Sequence, residues 1–284
     1  MKRFDTLLVV IVVTASLTGL LAGGYVFFGY QKGRAGYEQT ARTYTGSPEK
    51  ESEKKKDTEE KKETEENRNE GDTQKIGEAE TEAVLPENAP ERIAIDWDNL
   101  KKEAPDLVGW ITLPSVELSY PIVQGRDNAQ YLHHGIQGEE LYAGSIFLDA
   151  GNQADFSNYN TIVYGHNMRD GTMFAKLKDY TEPETYQKCP YFWIYTAQAD
   201  YLYEICSVYQ SAPEQAPYVL RFASHSDYLD WLYQIKKRSG IQTDVALSEG
   251  DRIVTLSTCS GDAAKRQIVQ GVRIASQNPV PWNP

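Results

Sequence analysis

This 284-residue chain has three cysteines, four histidines and three methionines, and its basic residues are outnumbered, 29 Lys and Arg against 41 Asp and Glu. So few cysteines exclude a disulfide scaffold. A net charge of -12 argues against a general nucleic-acid binder, because neutralising phosphates requires a basic face. No cluster of side chains suggests a metal or nucleotide site, so no cofactor is expected, and no internal repeat is evident. The length allows one large domain or two modest ones. Its averages conceal three compositionally different pieces.

Leu7 to Tyr30 carries no charge. As a helix it would extend about 35 Å, enough for a bilayer core of about 30 Å. A cleaved signal peptide is the competing reading, with Ala22, Gly23 and Gly24 near a possible cleavage point, but the apolar run continues through Val26, Phe27 and Phe28, beyond a signal peptide's usual core. The preferred reading is an uncleaved transmembrane signal anchor over 7–30. Lys2 and Arg3 favour residues 1–6 in the cytoplasm and the remainder outside, although Lys32 and Arg34 beyond the segment weaken that vote. Residues 31–90 then read as a charged extracellular stalk. From Thr45 to Pro90 there are 15 acidic and 8 basic residues and almost nothing to bury, which predicts disorder. The alternative is a solvated helix carrying Glu/Lys pairs.

Residues 91–284 hold all five tryptophans and most of the tyrosines, enough for one substantial core. A helical pattern in AIDWDNLKKEAPD opens this domain. Strand-like runs follow: LVGWITL, YPIVQ, GSIFLD, NTIVYGH, YFWIYT, YLYEICSVYQ, DRIVTLSTC and RQIVQGVRI, punctuated by Gly, Pro, Asn and Asp. TMFAKLKDY is a short helical interruption. SDYLDWLYQIKKRSG is a longer one, with Tyr228, Leu229, Leu232, Tyr233 and Ile235 at helical spacing and a stop at Gly240. Eight short strands with few helices predict a mostly β fold, a closed or nearly closed barrel.

Among reactive residues, Cys259 ends a predicted strand and precedes the polar loop Ser260 to Lys265. Cys189 and Cys206 sit among aromatics and read as buried small hydrophobes, with a disulfide between them as the alternative. Cys259 is the odd thiol in both cases. His133 and His134 look like a turn after a short helix. His225 begins the long helix, where flanking serines suggest capping. His166 ends the strand NTIVYGH after a glycine, a position from which a barrel can present a side chain. Arg266 follows a six-residue loop after Cys259, so the two would face each other across a hairpin mouth. A guanidinium there can stabilise an oxyanion or hold a substrate backbone, while a surface charge is the plainer reading. Arg273 is a weaker candidate.

TLSTC followed by an Arg opening the strand RQIVQGV, with VYGHNM about ninety residues earlier, resembles the sortases, the membrane-anchored cysteine transpeptidases of Gram-positive bacteria. DLVGWITL, YPIVQGRDNAQYL, AGSIFLD and NTIVYGHNMRDGTMFAKLKDY resemble class B in particular, as does the long helix inserted before the strand carrying Cys259. The resemblance spans Ile95 to Ile274. It implies an eight-stranded sortase barrel, Cys259 as nucleophile, His166 as general acid/base and Arg266 as the oxyanion or substrate-positioning group. It further implies a sorting-signal groove lined by Asn128, Leu132, Tyr164 and Ser257. The expected substrates are exported proteins with a C-terminal sorting signal, NPxTN-like or LPxTG-like, cleaved after Thr. The acyl acceptor would be a peptidoglycan amine or a pilin lysine. A tethered cysteine protease that releases its product to water is the alternative chemistry.

Overall fold

A computed structural model describes residues 24, 29–47, 84–212, 216–259 and 265–283. The chain is helical over 29–44 (α1). Tyr30, Gly33, Tyr37, Ala41 and Tyr44, at helical spacing, are buried or half-buried on one face. The Tyr37 hydroxyl donates to the Gly144 carbonyl (2.7 Å) and lies 3.0 Å from Ser145 Oγ, which fixes α1 to the domain. The strand β1 (Thr45–Gly46) then pairs antiparallel with β2 (Ala94–Ile95). Leu85, Ala89 and Ile93 pack on the core, and the Trp193 indole donates to the Pro90 carbonyl.

Two parts of the N-terminal reading change as a result. Residues 31–47 and 84–90, assigned to the stalk on composition, belong to the folded unit, because a few well-placed apolar residues suffice to dock them. The intervening residues 48–83 lie outside the described ones, and the β1–β2 pair holds their two flanks together, so they do not separate α1 from the domain. The apolar segment 7–30 lies outside the described residues except for residues 24, 29 and 30. Among the described residues no helix is long and apolar enough to cross a membrane.

After α2 (Trp97–Glu103), capped by Asp96 accepting from the Asn99 amide, come β3 (Leu107–Leu113), β4 (Leu118–Gln124), β5 (Ile146–Leu148) and β6 (Asn160–His166). A 3₁₀ helix (Phe174–Thr181) and α3 (Pro183–Lys188) lead to β7 (Tyr191–Tyr195) and β8 (Asp200–Ser211). The long helix α4 (His225–Arg238) precedes β9 (Ile253–Cys259) and β10 (Arg266–Gln277). The eight strands β3–β10 close into a barrel in the order β10-β8-β7-β3-β4-β5-β6-β9. Every pair is antiparallel except β4 with β5 and β6 with β9. Trp110, Trp193, Phe147, Phe192, Tyr195 and Tyr203 are among its fully buried side chains. Each contributes about 1.5–3 kcal/mol of burial.

Ser224 caps α4 by accepting from the Asp227 amide. Its face of Tyr228, Trp231, Leu232 and Ile235 packs with Cys206, Ile253 and Val272. His225 therefore belongs to a helix start. Cys189 and Cys206 are free, so the disulfide alternative is not realised. Cys206 is fully buried, and burial pushes its thiol up to about 12. Cys189 is only half-buried.

Candidate active site

Three neighbouring strands bring their ends to one rim of the barrel. β6 runs parallel to β9, so the last residues of both reach the same edge, and the register pairs His166 directly with Cys259. β10 runs antiparallel to β9, with Ile268 opposite Ser257, and the Gln267 amide donates to Thr258 Oγ1 at 2.9 Å. Arg266 opens β10, two residues before Ile268, as Cys259 closes β9, two residues after Ser257. Arg266 pairs with Ser211 of β8 and is half-buried. β9 and β10 are thus antiparallel neighbours on either side of residues 260–265, and the parallel neighbour β6 brings His166 beside Cys259.

Gly165 allows β6 to reach this rim in close packing. A Cβ there would lie 2.4 Å from Ile146 Cδ1 and 2.6 Å from Phe174 Cγ, separations that real side chains do not adopt. His166 follows immediately. Its Nε2 lies 2.6 Å from the Leu132 carbonyl oxygen, which can only accept, so Nε2 carries the proton and Nδ1 is the basic nitrogen of the neutral ring. Burial lowers the pKa of His166, the Leu132 carbonyl opposes that shift, and the His133 ring, 5.6 Å away, adds to it. The net direction is downward, which keeps the imidazole neutral near pH 7. Such a ring can accept a proton from a thiol or hand one to a departing amine.

The four residues expected to line a groove are placed in different ways. Leu132, at the end of a 3₁₀ turn (Gln130–Leu132), is half-buried and contributes its carbonyl to His166. Tyr164 lies two residues before His166 on the same face of β6 and pairs with Ser257 of β9. Ser257 is fully buried, with its hydroxyl 2.9 Å from that of Tyr218. Asn128 is exposed on the loop after β4, and its side-chain amide donates to Asp149 Oδ2 at 2.8 Å. Of the other candidates, His134 Nδ1 lies 2.7 Å from the Gln130 carbonyl. Arg273 donates to the Phe156 carbonyl and stacks 4.1 Å over Tyr201, an architectural role that removes it from the site.

Two residues that contact these side chains escaped the sequence reading. Tyr218, from a 3₁₀ turn between β8 and α4, stacks on Tyr164 with centroids 6.3 Å apart. Nothing in its surroundings, APYVL, distinguishes it. Asp149 receives both Asn128 and Tyr164. Its only sequence signal is an acid closing the apolar run GSIFLD.

A family model described as the sortase domain matches residues 111–274, more than half of the chain. The chain belongs to the sortase family. Its relatives are of class B. Sortase B of Listeria monocytogenes serovar 1/2a is 39% identical over 176 residues, covering 61% of this chain and 72% of the relative. The solved Staphylococcus aureus sortase B–substrate complex is 35% identical with a TM-score of 0.61, covering 63% of this chain and 84% of that one. A sortase B complexed with triglycine gives 35% identity and a TM-score of 0.61, covering 63% and 85%. These likenesses make the sortase described here a cysteine transpeptidase of class B, with the expected eight-stranded barrel.

Proposed function

We propose that this sortase B cleaves a sorting motif after Thr near the C-terminus of exported proteins and transfers the acyl group to an amine of the cell wall. The observation that carries this reading is the strand register, in which His166 pairs with Cys259 at the ends of β6 and β9, beside the start of β10 at Arg266. Cys259 passes its thiol proton to His166 and, as thiolate, attacks the Thr carbonyl carbon, and the negative charge gathered on the carbonyl oxygen is met by the Arg266 guanidinium. The tetrahedral intermediate collapses as the C–N bond breaks, and protonated His166 delivers its proton to the leaving amine, which gives a thioacyl enzyme. An incoming amine then attacks the thioester carbonyl. His166 takes the proton from that amine, the C–S bond breaks, and the amide product leaves. Asn128, Leu132, Tyr164 and Ser257 form the sorting-motif groove, Ser257 acting from beneath it through Tyr218. No step requires a metal or an organic cofactor.

The triglycine bound to a related sortase B supports an amine as acceptor rather than water. The apolar segment 7–30 anchors the enzyme in the cell membrane with residues 1–6 inside and the catalytic domain outside. The test combines the full chain with fluorogenic peptides of the NPxTN and LPxTG types and triglycine, followed by mass spectrometry. The expected outcome is an acyl adduct on Cys259 and a peptide–triglycine amide, both lost in Cys259→Ala. His166→Ala and Arg266→Ala should each lower kcat/KM by at least about 100-fold. Turnover by Cys259→Ala, or hydrolysis without amide at saturating triglycine, would refute transpeptidation by these residues.

A further inference from the structure

A buried hydrogen-bond chain crosses β10, β9 and β6, the strands that carry Arg266, Cys259 and His166. Gln270 of β10 stands opposite Thr255 of β9, and its Nε2 donates to Thr255 Oγ1 at 2.9 Å. The Thr255 hydroxyl donates onward to Oδ1 of Asn160, the first residue of β6, at 2.7 Å. All three side chains are fully buried. Asn160 Nδ2 donates in turn to two backbone carbonyls, Pro217 at 2.8 Å and Val219 at 2.9 Å. Carbonyl oxygens only accept, so both N–H bonds of the Asn160 amide are spent on them, its own oxygen accepts, and every donor in the chain points the same way. The residue between the two carbonyls is Tyr218, whose ring stacks on Tyr164 and whose hydroxyl lies 2.9 Å from Ser257 Oγ.

Burying three polar side chains costs free energy that apolar residues would not incur, and the cost is offset only where each finds its partners. Apolar residues at 160, 255 and 270 would fill a barrel as well, but the carbonyls of Pro217 and Val219 would lose their donor. The contribution of the chain therefore lies in the position of the turn around Tyr218. We propose that Asn160 is a positioning residue of the sorting-motif groove, holding this turn by the carbonyls on either side of Tyr218 so that Tyr218 meets Ser257 and Tyr164. The inference rests on the groove assignment above. It requires only the placement of the Tyr218 ring, whatever bonds its hydroxyl and that of Tyr164 make. Thr255 and Gln270 act behind Asn160, because a hydroxyl that donates to Oδ1 keeps the NH₂ turned toward the two carbonyls. Phe222 holds the same segment further along, against Tyr159, Tyr228 and Trp231, so loss of Asn160 loosens the turn at Tyr218 and leaves the approach to α4 in place.

The experiment uses the full chain and measures KM for the better cleaved of the two sorting peptides, deacylation of preformed thioacyl enzyme by triglycine, and thermal melting. The variants are Asn160→Ala, Thr255→Val, Tyr218→Ala and the pairs of Tyr218→Ala with each of the other two. The expected result is a KM raised about tenfold in Asn160→Ala and about threefold in Thr255→Val, the scale of one or two lost hydrogen bonds, with deacylation within about twofold of the parent. Neither substitution should raise KM further when added to Tyr218→Ala. A KM raised in Tyr218→Ala but not in Asn160→Ala overturns the positioning role and leaves the groove assignment standing, and so does an additive rise in the pairs, because Asn160 would then act elsewhere. An unchanged KM in Tyr218→Ala overturns the place of Tyr218 in the groove and the inference with it, while transpeptidation stands. A parent that cleaves neither peptide overturns the proposed function and the inference together. Parallel losses of cleavage, deacylation and thermal stability in Thr255→Val mark a structural network and also overturn the proposal. If Asn160→Ala does not fold, Thr255→Val, which keeps the shape of the side chain, decides by the same criteria.

Discussion

Replacing Gly165 with alanine inserts a methyl group where the structure has no room. Its carbon would stand 2.4 Å from Ile146 Cδ1, 2.6 Å from Phe174 Cγ and 2.8 Å from Phe174 Cδ2, whereas carbon atoms in contact prefer about 3.5–4.0 Å. Ile146 and Phe174 are fully buried, so neither can swing into solvent, and β6 must shift by about 1 Å. Overpacking of this kind costs about 2 kcal/mol, which lowers the melting temperature by roughly 4–8 °C for a domain of this size. The next residue is His166, so the same displacement moves the proposed acid/base relative to its partner on β9. A misplacement of about 1 Å at a catalytic group costs about 100-fold. Ile146→Val removes the Cδ1 atom but leaves the Phe174 contact, so the double variant should recover part of the lost stability beyond additivity. Calorimetry and peptide-cleavage kinetics on the four proteins of this cycle decide the matter. A Gly165→Ala protein that melts within about 1 °C of the parent and keeps its kcat/KM within about twofold would show that the close approach does not position the rim.

Deleting residues 48–83 shortens the β1–β2 connection from 47 to 11 residues, about two halvings. This should stabilise the fold by about 1.2 kcal/mol through loop-closure entropy while peptide cleavage in solution is unchanged. A lower melting temperature would show that the acidic segment contributes to the fold. Asp200 provides a pH test. Burial raises its carboxyl pKa to about 7 despite the opposing Arg92, whose Nη1 lies 3.3 Å away. The native state therefore binds more protons than the unfolded chain between about pH 4 and pH 7. The contribution of the site to stability is present at low pH and is lost as pH rises to 7. Asp200→Asn, which cannot ionise, should gain about 2 kcal/mol more relative to the parent at pH 8 than at pH 5. Equal shifts in thermal melts at the two pH values would remove the assignment.

The barrel strands were legible because each needs only local information. Alternating or continuous apolar runs bounded by turn residues match all eight strands β3–β10, to within a few residues at their ends, and the helical spacing of Tyr228, Leu232 and Ile235 matches the buried face of α4. Position at a strand end made Cys259, His166 and Arg266 candidates. Their meeting depends on strand order, however, and the parallel pairing of β6 with β9 joins residues about ninety positions apart, which no local pattern encodes. Tyr218 and Asp149 were missed for the same reason. Each matters through the side chains it meets, and those lie on other elements.

The N-terminal region shows the opposite failure, in which composition is informative over a window and misleading at its edges. The high charge density of 48–83 is real, but averaging it over 31–90 concealed the helical stripe of Tyr37, Ala41 and Tyr44, as well as Leu85 and Ala89, whose burial ties both flanks to the barrel. This changes the mechanical argument. A flexible stalk would let the rim with His166 and Arg266 sample distances set by chain statistics. α1 is instead fixed to the domain by direct contacts, among them the Tyr37 hydroxyl on Gly144. Gly144 in turn has φ near +55°, and a Cβ there would stand 2.3 Å from the Leu132 carbonyl oxygen, the same oxygen that receives His166. The contact that docks α1 and the contact that sets the tautomer of the proposed acid/base therefore meet where Gly144 packs against the Leu132 carbonyl, so the placement of α1 and the orientation of the histidine depend on one close backbone approach.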